Sequence, residues 1–231
     1  MSRLLGALKL DMLFQFRSGF HIIYAIISVI YITIVNALPQ TWGELAVPFL
    51  IFSDPSVLGF FFIGGLVMLE KGQGILDLVS VTPLSETEFL LSKIISLNAI
   101  AVAASLSIGI FTHQTFNVFL MLSSVILSAS FFTIVGFLVA LSSHSINHYF
   151  GRVIPMMLVI ILPVFTLIEF PWSKLFYLLP SVAVARLMMM AFFDGNLSDT
   201  LICLVIAFLW NLFIFNYAVN KFKIYVISGG A

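Results

Sequence analysis

The feature that most constrains this fold is a series of long, uninterrupted apolar segments. Of the 231 residues, 61% are hydrophobic and only 9% carry a charge, whereas soluble proteins carry a charge on about one residue in four. Inside a bilayer the protein itself must satisfy every backbone polar group, which only helices and closed barrels achieve. Because the apolar segments do not alternate with polar residues, the sequence predicts an all-α integral membrane protein.

The apolar segments predict six membrane-crossing helices within one domain that covers residues 1–231. The predicted crossings are about 19–38, 55–70, 86–111, 116–141, 153–168 (kinked near Pro163) and 198–219. The second is shorter than the roughly 20 residues that a bilayer requires. Part of residues 45–53 is therefore expected to lengthen it, with Asp54 near a kink.

Two further segments are predicted to be helical without crossing. Residues 1–17 place several leucines on one helical face, which suits an interfacial helix at the membrane surface. Residues 169–197 are apolar but contain Pro180 and Arg186, and a central arginine costs roughly 2.5–3.5 kcal/mol on insertion scales. We therefore expect short re-entrant or interfacial helices on the outer side, broken at Pro180, rather than a seventh crossing.

The distribution of lysine and arginine supports six crossings. Two of the ten, Lys174 and Arg186, then lie outside. The eight on the inside are Arg3, Lys9, Arg17, Lys71, Lys93, Arg152, Lys221 and Lys223. This asymmetry agrees with the positive-inside rule, so we expect both termini to be cytoplasmic.

The longest polar interruption between apolar segments is Glu70–Lys93, which carries charges of both signs. Gly72 and Gly74 allow a sharp turn out of the preceding helix, because glycine tolerates backbone angles that are closed to other residues. The following residues repeat at helical spacing and predict a short amphipathic surface helix near 74–81. The residues on its one face are Ile75, Leu78, Val79 and Thr82.

The second half of this interruption predicts where the next helix begins. Proline has no N–H to lose in a first helical turn, so Thr82-Pro83 marks a break and a restart. Ser85 and Glu88 have the spacing of a capping box, in which each side chain satisfies a free N–H group at the helix start.

This loop resembles the first cytoplasmic loop of ABC-2 type transporter permeases, and among them the permeases of fluoroquinolone export. The residues that carry the resemblance are Glu70-Lys71-Gly72, the apolar turn that follows, Thr82-Pro83-Leu84-Ser85, Glu88 and Lys93. The resemblance implies a permease subunit of an ATP-driven exporter in a bacterial cell membrane. It also implies a re-entrant hairpin before the last crossing.

The resemblance further implies that the first cytoplasmic loop, residues 70–85, couples the permease to a separate ABC ATPase subunit. ATP and Mg would bind on that subunit, and a second permease copy or a related permease would complete the transport path. Closure of the ATPase pair would switch the path between inward and outward access. The expected coupling residues are Glu70, Lys71, Gly72, Gly74, Ile75, Leu78, Val79, Thr82, Pro83 and Glu88.

Other chemistry is poorly supported by the sequence. There is no Gly-x-x-x-x-Gly-Lys-Ser/Thr motif for phosphate binding, and zero net charge gives no indication of nucleic acid. In the predicted second cytoplasmic loop, residues 142–152, His144 and His148 have the spacing of two metal ligands but lack a third, so we expect a solvated pair and no catalytic, cofactor or metal site. The scarcity of charge inside the helices favours a hydrophobic or amphiphilic substrate, and the resemblance implies a drug-like one.

Two alternatives remain open at the level of sequence. The chain could be an intramembrane enzyme that uses His113, His144 and His148, although no second catalytic group is evident. It could also be a membrane assembly or interaction protein that transports nothing. Copurification of an ATPase distinguishes the permease from both.

Overall fold

The computed structural model describes residues 3–53, 57–78, 82–162, 164, 173–193 and 195–227, and among these it contains helices and no strand. The first five helices are α1 (Arg3–Arg17), α2 (Phe20–Ala37), α3 (Gln40–Ile51), α4 (Val57–Gly72) and α5 (Ile75–Leu78). The others are α6 (Glu86–Phe111), α7 (Val118–Leu141), α8 (Ile146–Ile161), a 3-10 helix (Ser173–Leu178), α9 (Pro180–Phe192) and α10 (Leu197–Ile227). The predicted all-α class is confirmed.

Four of the described helices, α2, α6, α7 and α10, are long and apolar enough to cross a membrane. Helices α8 and α9 are apolar but shorter, with 16 and 13 residues, and α4 has 16 residues. About 20 residues are needed to span a bilayer upright. The count of six crossings therefore stays a prediction.

Helix boundaries agree with the sequence where local signals are strong. Helix α6 covers the predicted 86–111, and the Ser85–Glu88 capping box at its start is present. Helix α10 was predicted to end near 219 but continues to Ile227, so Lys221 and Lys223 lie within the helix rather than after it. The predicted loop 142–152 is also wrong in its second half, because Ser145 caps helix α8.

Residues 45–51 belong to helix α3, and α4 begins at Val57. Because residues 54–56 lie outside the described part of the chain, the lengthening of the second crossing by part of 45–53 stays a prediction. Asp54, where a kink was expected, lies outside the described residues. Pro163, the other expected kink, also lies outside the part of the chain that the structure describes.

Helix α7 is the central helix of the bundle and packs against α4, α6, α9 and α10. Gly136 lies where α4 crosses, and a Cβ atom there would come within 2.7 Å of the Phe60 carbonyl oxygen. The close approach of two helices at a small residue is typical of membrane proteins. Helix α7 thus forms the core around which the other elements are arranged.

The segment before the last helix is interrupted at Pro180, as predicted, since the 3-10 helix ends at Leu178 and Pro180 opens α9. Helix α9 is almost wholly buried against α7 and α10. The hydroxyl of Ser124 donates a hydrogen bond of 2.8 Å to the Val184 carbonyl. The Arg186 guanidinium lies 3.9 Å from the centroid of the Tyr177 ring.

Candidate functional site at the first loop

The first loop leaves helix α4 through a tight glycine turn. Gly74 has a φ of 70°, in the left-handed region that glycine adopts without strain. Its N–H donates to the Lys71 carbonyl at 3.1 Å, and the N–H of Gln73 donates to the Leu69 carbonyl at 3.1 Å. The sharp turn that the sequence predicts is therefore present, with Gly72 as the last helical residue before it.

The short helix that follows is one turn long, Ile75–Leu78, where the sequence predicted 74–81. Leu76 is buried in the core at 1% exposure and Ile75 is half-buried. The predicted apolar face did not include Leu76, which faces inward. Val79 lies outside the described residues, and the docking role of the face formed by Ile75, Leu78 and Val79 stays a prediction.

The loop re-enters the bundle through an exposed segment that α1 holds in place. Thr82 and Pro83 are exposed, and the Arg3 guanidinium donates a hydrogen bond of 2.7 Å to the Pro83 carbonyl. At the start of α6 the N–H of Ser85 donates to Glu88 at 2.9 Å, and the N–H of Glu88 donates to the Ser85 hydroxyl at 3.2 Å. The exit from the loop is thus fixed by local capping and by a contact with the N-terminal helix.

A buried ionic triad joins the two ends of this loop. The Nζ atom of Lys93 on α6 lies 2.5 Å from Oε1 of Glu70 on α4 and 3.1 Å from Oδ1 of Asp11 on α1. Lys93 is fully buried, and each carboxylate residue is 8% exposed. The hydroxyl of Ser92 also donates to Asp11 at 2.5 Å. Three helices therefore meet at one lysine where the first loop begins and ends.

The energetics of the triad make this junction rigid. Desolvated charges are tolerated only when they are paired and hydrogen-bonded, and removal of one partner from a buried ion pair is strongly destabilising. A further polar contact lies one helical turn away, where the Gln15 amide of α1 donates to the Ser96 hydroxyl of α6 at 2.7 Å. If α1, α4 and α6 separated at this point, the charges of the triad would lose their partners within an apolar interior.

Lys71, next to Glu70 in sequence, ties α4 to a different part of the bundle. Its ammonium group donates to the carbonyls of Leu141 and Ser143 at 3.1 and 3.0 Å. It also lies 4.9 Å from the centroid of the Tyr225 ring on α10. The last carbonyls of a helix lack intrahelical donors, and a cation there also complements the helix dipole. The Glu70-Lys71 pair thus connects the base of the loop to α1 and α6 on one side and to α7 and α10 on the other.

Sequence reasoning did not identify Asp11 and Gln15 as residues of this junction, and it found only part of the role of Lys93. It treated α1 as a surface helix with a leucine face, and it named Lys93 as an inner cation and as part of the family resemblance without assigning it a partner. In the structure α1 buries Asp11 and Gln15 against α6. Asp11 is the only acidic residue of 1–17 and Gln15 follows at i+4. Two polar residues one turn apart among the leucines of this helix could have indicated a buried polar face.

The histidine pair lies around the start of helix α8, directly after the Ser143 carbonyl that Lys71 contacts. The rings of His144 and His148 are nearly parallel, with centroids 5.8 Å apart; His144 is exposed and His148 is half-buried. In the described part of the chain no three His, Cys, Asp or Glu residues are grouped so as to hold a metal ion. That these histidines have no catalytic role stays a prediction.

A bundle of apolar helices, several of them long enough to cross a bilayer, defines a multi-pass membrane protein. Residues 2–229 match the Fluoroquinolones export permease protein family, and the chain therefore belongs to that family. It is similar to fluoroquinolones export permease proteins from two strains of Mycobacterium tuberculosis. Each is 26% identical over 200 residues, which cover 86% of this chain and 84% of the relative. The resemblance based on the first loop is confirmed.

Proposed function

We propose that this chain is the permease subunit of an ATP-driven ABC-2 type exporter of hydrophobic or amphiphilic, drug-like small molecules. Its family and its relatives are named for the export of fluoroquinolones. The sequence contains no phosphate-binding loop, so the energy of ATP would be supplied by a separate ATPase subunit. A second copy of this chain, or a related permease, would complete the transport path.

The observation that carries this proposal is the attachment of the first loop at both of its ends. Lys93 joins α4 to α6 and α1, Lys71 joins α4 to α7, and Arg3 joins α1 to the exit of the loop. A protein that pushes on residues 73–85 would displace these helices together, since the contacts at the base are buried and charged. A loop that only connected two helices would not need such attachments.

In the proposed mechanism the first loop faces the cytoplasm and rests on the ATPase subunit. The six crossings would be α2, α4, α6, α7, α8 with the residues after it, and α10, which places both termini in the cytoplasm. Closure of two ATPase subunits around ATP would press on the loops of two permeases. The rigid base would then transmit this movement to the helices and switch the path between inward and outward access.

The test of the proposal is a charge substitution in the short helix. Ile75→Glu places a carboxylate on a half-buried apolar position, whereas Gln73→Glu places the same charge on an exposed position two residues earlier. Because an unpaired charge buried in a contact costs several kcal/mol, we expect Ile75→Glu to reduce ATPase copurification at least about tenfold. Gln73→Glu should retain the partner.

The measurement is copurification of any ABC ATPase with the tagged permease from its native membranes, followed by ATP-dependent uptake of a fluoroquinolone into inside-out vesicles. Correct membrane insertion of each variant is checked by the yield of monodisperse protein in detergent. Wild-type copurification and uptake by both variants would show that this helix does not couple the subunits. Absence of any ATPase partner would favour a membrane assembly protein instead.

A further inference from the structure

The triad of Asp11, Glu70 and Lys93 has more acidic than basic groups. Its two carboxylates each have an oxygen within 3.1 Å of one ammonium nitrogen, and all three residues are buried. If both carboxylates were ionised, the junction would hold one surplus negative charge away from water. Two carboxylates that share a site this closely do not both ionise readily, and burial disfavours an unpaired charge further. The triad is therefore neutral when it also holds one proton.

No other charged group compensates this charge among the side chains that the structure describes around α4. Lys71, next to Glu70, donates to carbonyls at the end of α7, and α7 itself has no titratable residue. The other charged residues of α1 are exposed, and they are Arg3, Lys9 and Arg17. The acidic residues of α6 lie in its first turn, and they are Glu86 and Glu88. The titratable residues of α8 have other partners, and they are His148, Tyr149 and Arg152.

The hydrogen bonds of the triad indicate that it is short of hydrogen. An ammonium group has three donors, and Lys93 uses its own on the two carboxylates and the ring of Phe89, whose centroid lies 4.3 Å from Nζ. The Ser92 hydroxyl has one hydrogen, and its Oγ atom lies 2.5 Å from Oδ2 of Asp11 and 2.9 Å from the Phe89 carbonyl oxygen. Oε2 of Glu70 is buried and receives no hydrogen from the described residues. One hydrogen added to the carboxylates would reduce this deficit.

The burial of these oxygens favours a proton over a larger ligand. A metal ion or a water molecule would need room beside Oε2 of Glu70, whereas a proton binds without added volume. In the described part of the chain no third His, Cys, Asp or Glu residue is grouped with the two carboxylates as a metal ligand. Gln15, one turn from Asp11 on α1, is fully buried, and its Oε1 atom is a further acceptor without a donor among the described residues.

We propose that Asp11 and Glu70 together bind one proton while α1, α4 and α6 are packed around Lys93, and that they release it to water when these helices separate. The O–H bond forms on a carboxylate oxygen and breaks by transfer of the proton to water, which leaves both carboxylates ionised and solvated. Because the packed junction holds the proton and the separated one does not, a rise in pH favours separation. Proton binding requires no ATPase. Its link to the movement of the first loop rests on the proposed function and deepens it.

Infrared spectroscopy tests the site directly. A protonated carboxyl group has a C=O stretching band that a carboxylate lacks, and this band moves when D₂O replaces water. Purified permease in detergent is titrated from about pH 5 to about pH 9, above the range in which exposed carboxyl groups release their protons. We expect the wild-type protein to keep, at about pH 7, a band with the intensity of one carboxyl group.

Two variants assign the band to the pair of carboxylates. Asp11→Asn and Glu70→Gln should each abolish it at about pH 7, because the carboxylate that remains pairs with Lys93 alone and the two charges balance. Each amide keeps the shape of the side chain that it replaces. Glu86→Gln, in the first turn of α6, is the matched control and should keep the band.

The pH dependence of stability gives a second measurement. A proton that the folded protein holds and the unfolded chain releases makes folding less favourable as the pH rises, by up to about tenfold per pH unit in the ratio of folded to unfolded protein. Between about pH 6 and about pH 8, the thermal unfolding midpoint of wild type should therefore fall more steeply than that of Glu70→Gln. Glu86→Gln should follow wild type.

Three results would overturn the proposal. They are absence of the band from wild type at about pH 7, persistence of the band in either Asp11→Asn or Glu70→Gln, and equal pH dependence of the unfolding midpoint in wild type and Glu70→Gln. Persistence in one variant would assign the proton to a single buried carboxyl group instead of the pair. Because the spectra need only the permease, a band without any copurifying ABC ATPase would count against the proposed function and leave the proton site standing.

Discussion

At the scale of single residues, Lys93 determines how the base of the first loop is built. The sequence identified Glu70 and Lys71 as expected coupling residues, and both lie at the junction that the structure shows. It could not identify Asp11 as a partner of Lys93, because the two are separated by 82 positions. Local spacing carries no information on such a contact, which depends on how α1 packs against α6.

Lys93→Met should destabilise the protein more than removal of the whole triad. The single change leaves Asp11 and Glu70 buried without a cation, and breaking a buried pair in this way costs about 3–5 kcal/mol. The triple variant Asp11→Asn, Glu70→Leu and Lys93→Met removes all three ionisable groups of the triad and should be closer to wild type. Thermal unfolding of the purified protein in detergent measures the difference, and equal midpoints for the two variants would contradict the structural role of the triad.

At the scale of elements, helix boundaries were predicted correctly where the sequence carries a local signal for the start or end of a helix. The start of helix α6 at Glu86 was predicted correctly because a capping box begins it. Helix α10 has no comparable stop before Ile227, so the point where the apolar pattern weakens was mistaken for its end. Helix α8 begins within a polar segment, and its serine cap at Ser145 was overlooked.

The packing of α4 against α8 gives a prediction at this scale. A Cβ atom on Gly64 would overlap the ring of Tyr149, whose hydroxyl donates a hydrogen bond to the Phe60 carbonyl, whereas a Cβ on Gly65 meets nothing within 4 Å. Overpacking costs typically about 1–3 kcal/mol. Gly64→Ala should therefore lower the thermal unfolding midpoint, and Gly65→Ala, one residue along the same helix, should leave it unchanged or raise it. A larger loss for Gly65→Ala would contradict the described contact of α4 and α8.

At the scale of the whole molecule, the sequence predicted the class of fold correctly because the class depends on composition. A chain with 9% charged residues has too few of them to cover the surface of a soluble protein. The arrangement of the helices is a different matter. Helix α7 is central and the short helix α9 is buried beside it, and this packing depends on which apolar faces match. Uniformly apolar helices give no periodic signal that would identify the buried side.

The last prediction concerns the direction in which the chain crosses the membrane. Helix α9 has 13 residues, too few to cross upright, and the positive-inside rule favours six crossings. A reporter fused after Gly195, in the exposed turn between α9 and α10, should therefore report the outside. A reporter fused after Ile227, where α10 ends, should report the inside. Alkaline phosphatase and green fluorescent protein give opposite signals at each site, so each fusion controls the other. A cytoplasmic signal at Gly195 together with an outer signal at Ile227 would contradict the six-crossing topology and place the first loop on the wrong side for an ATPase.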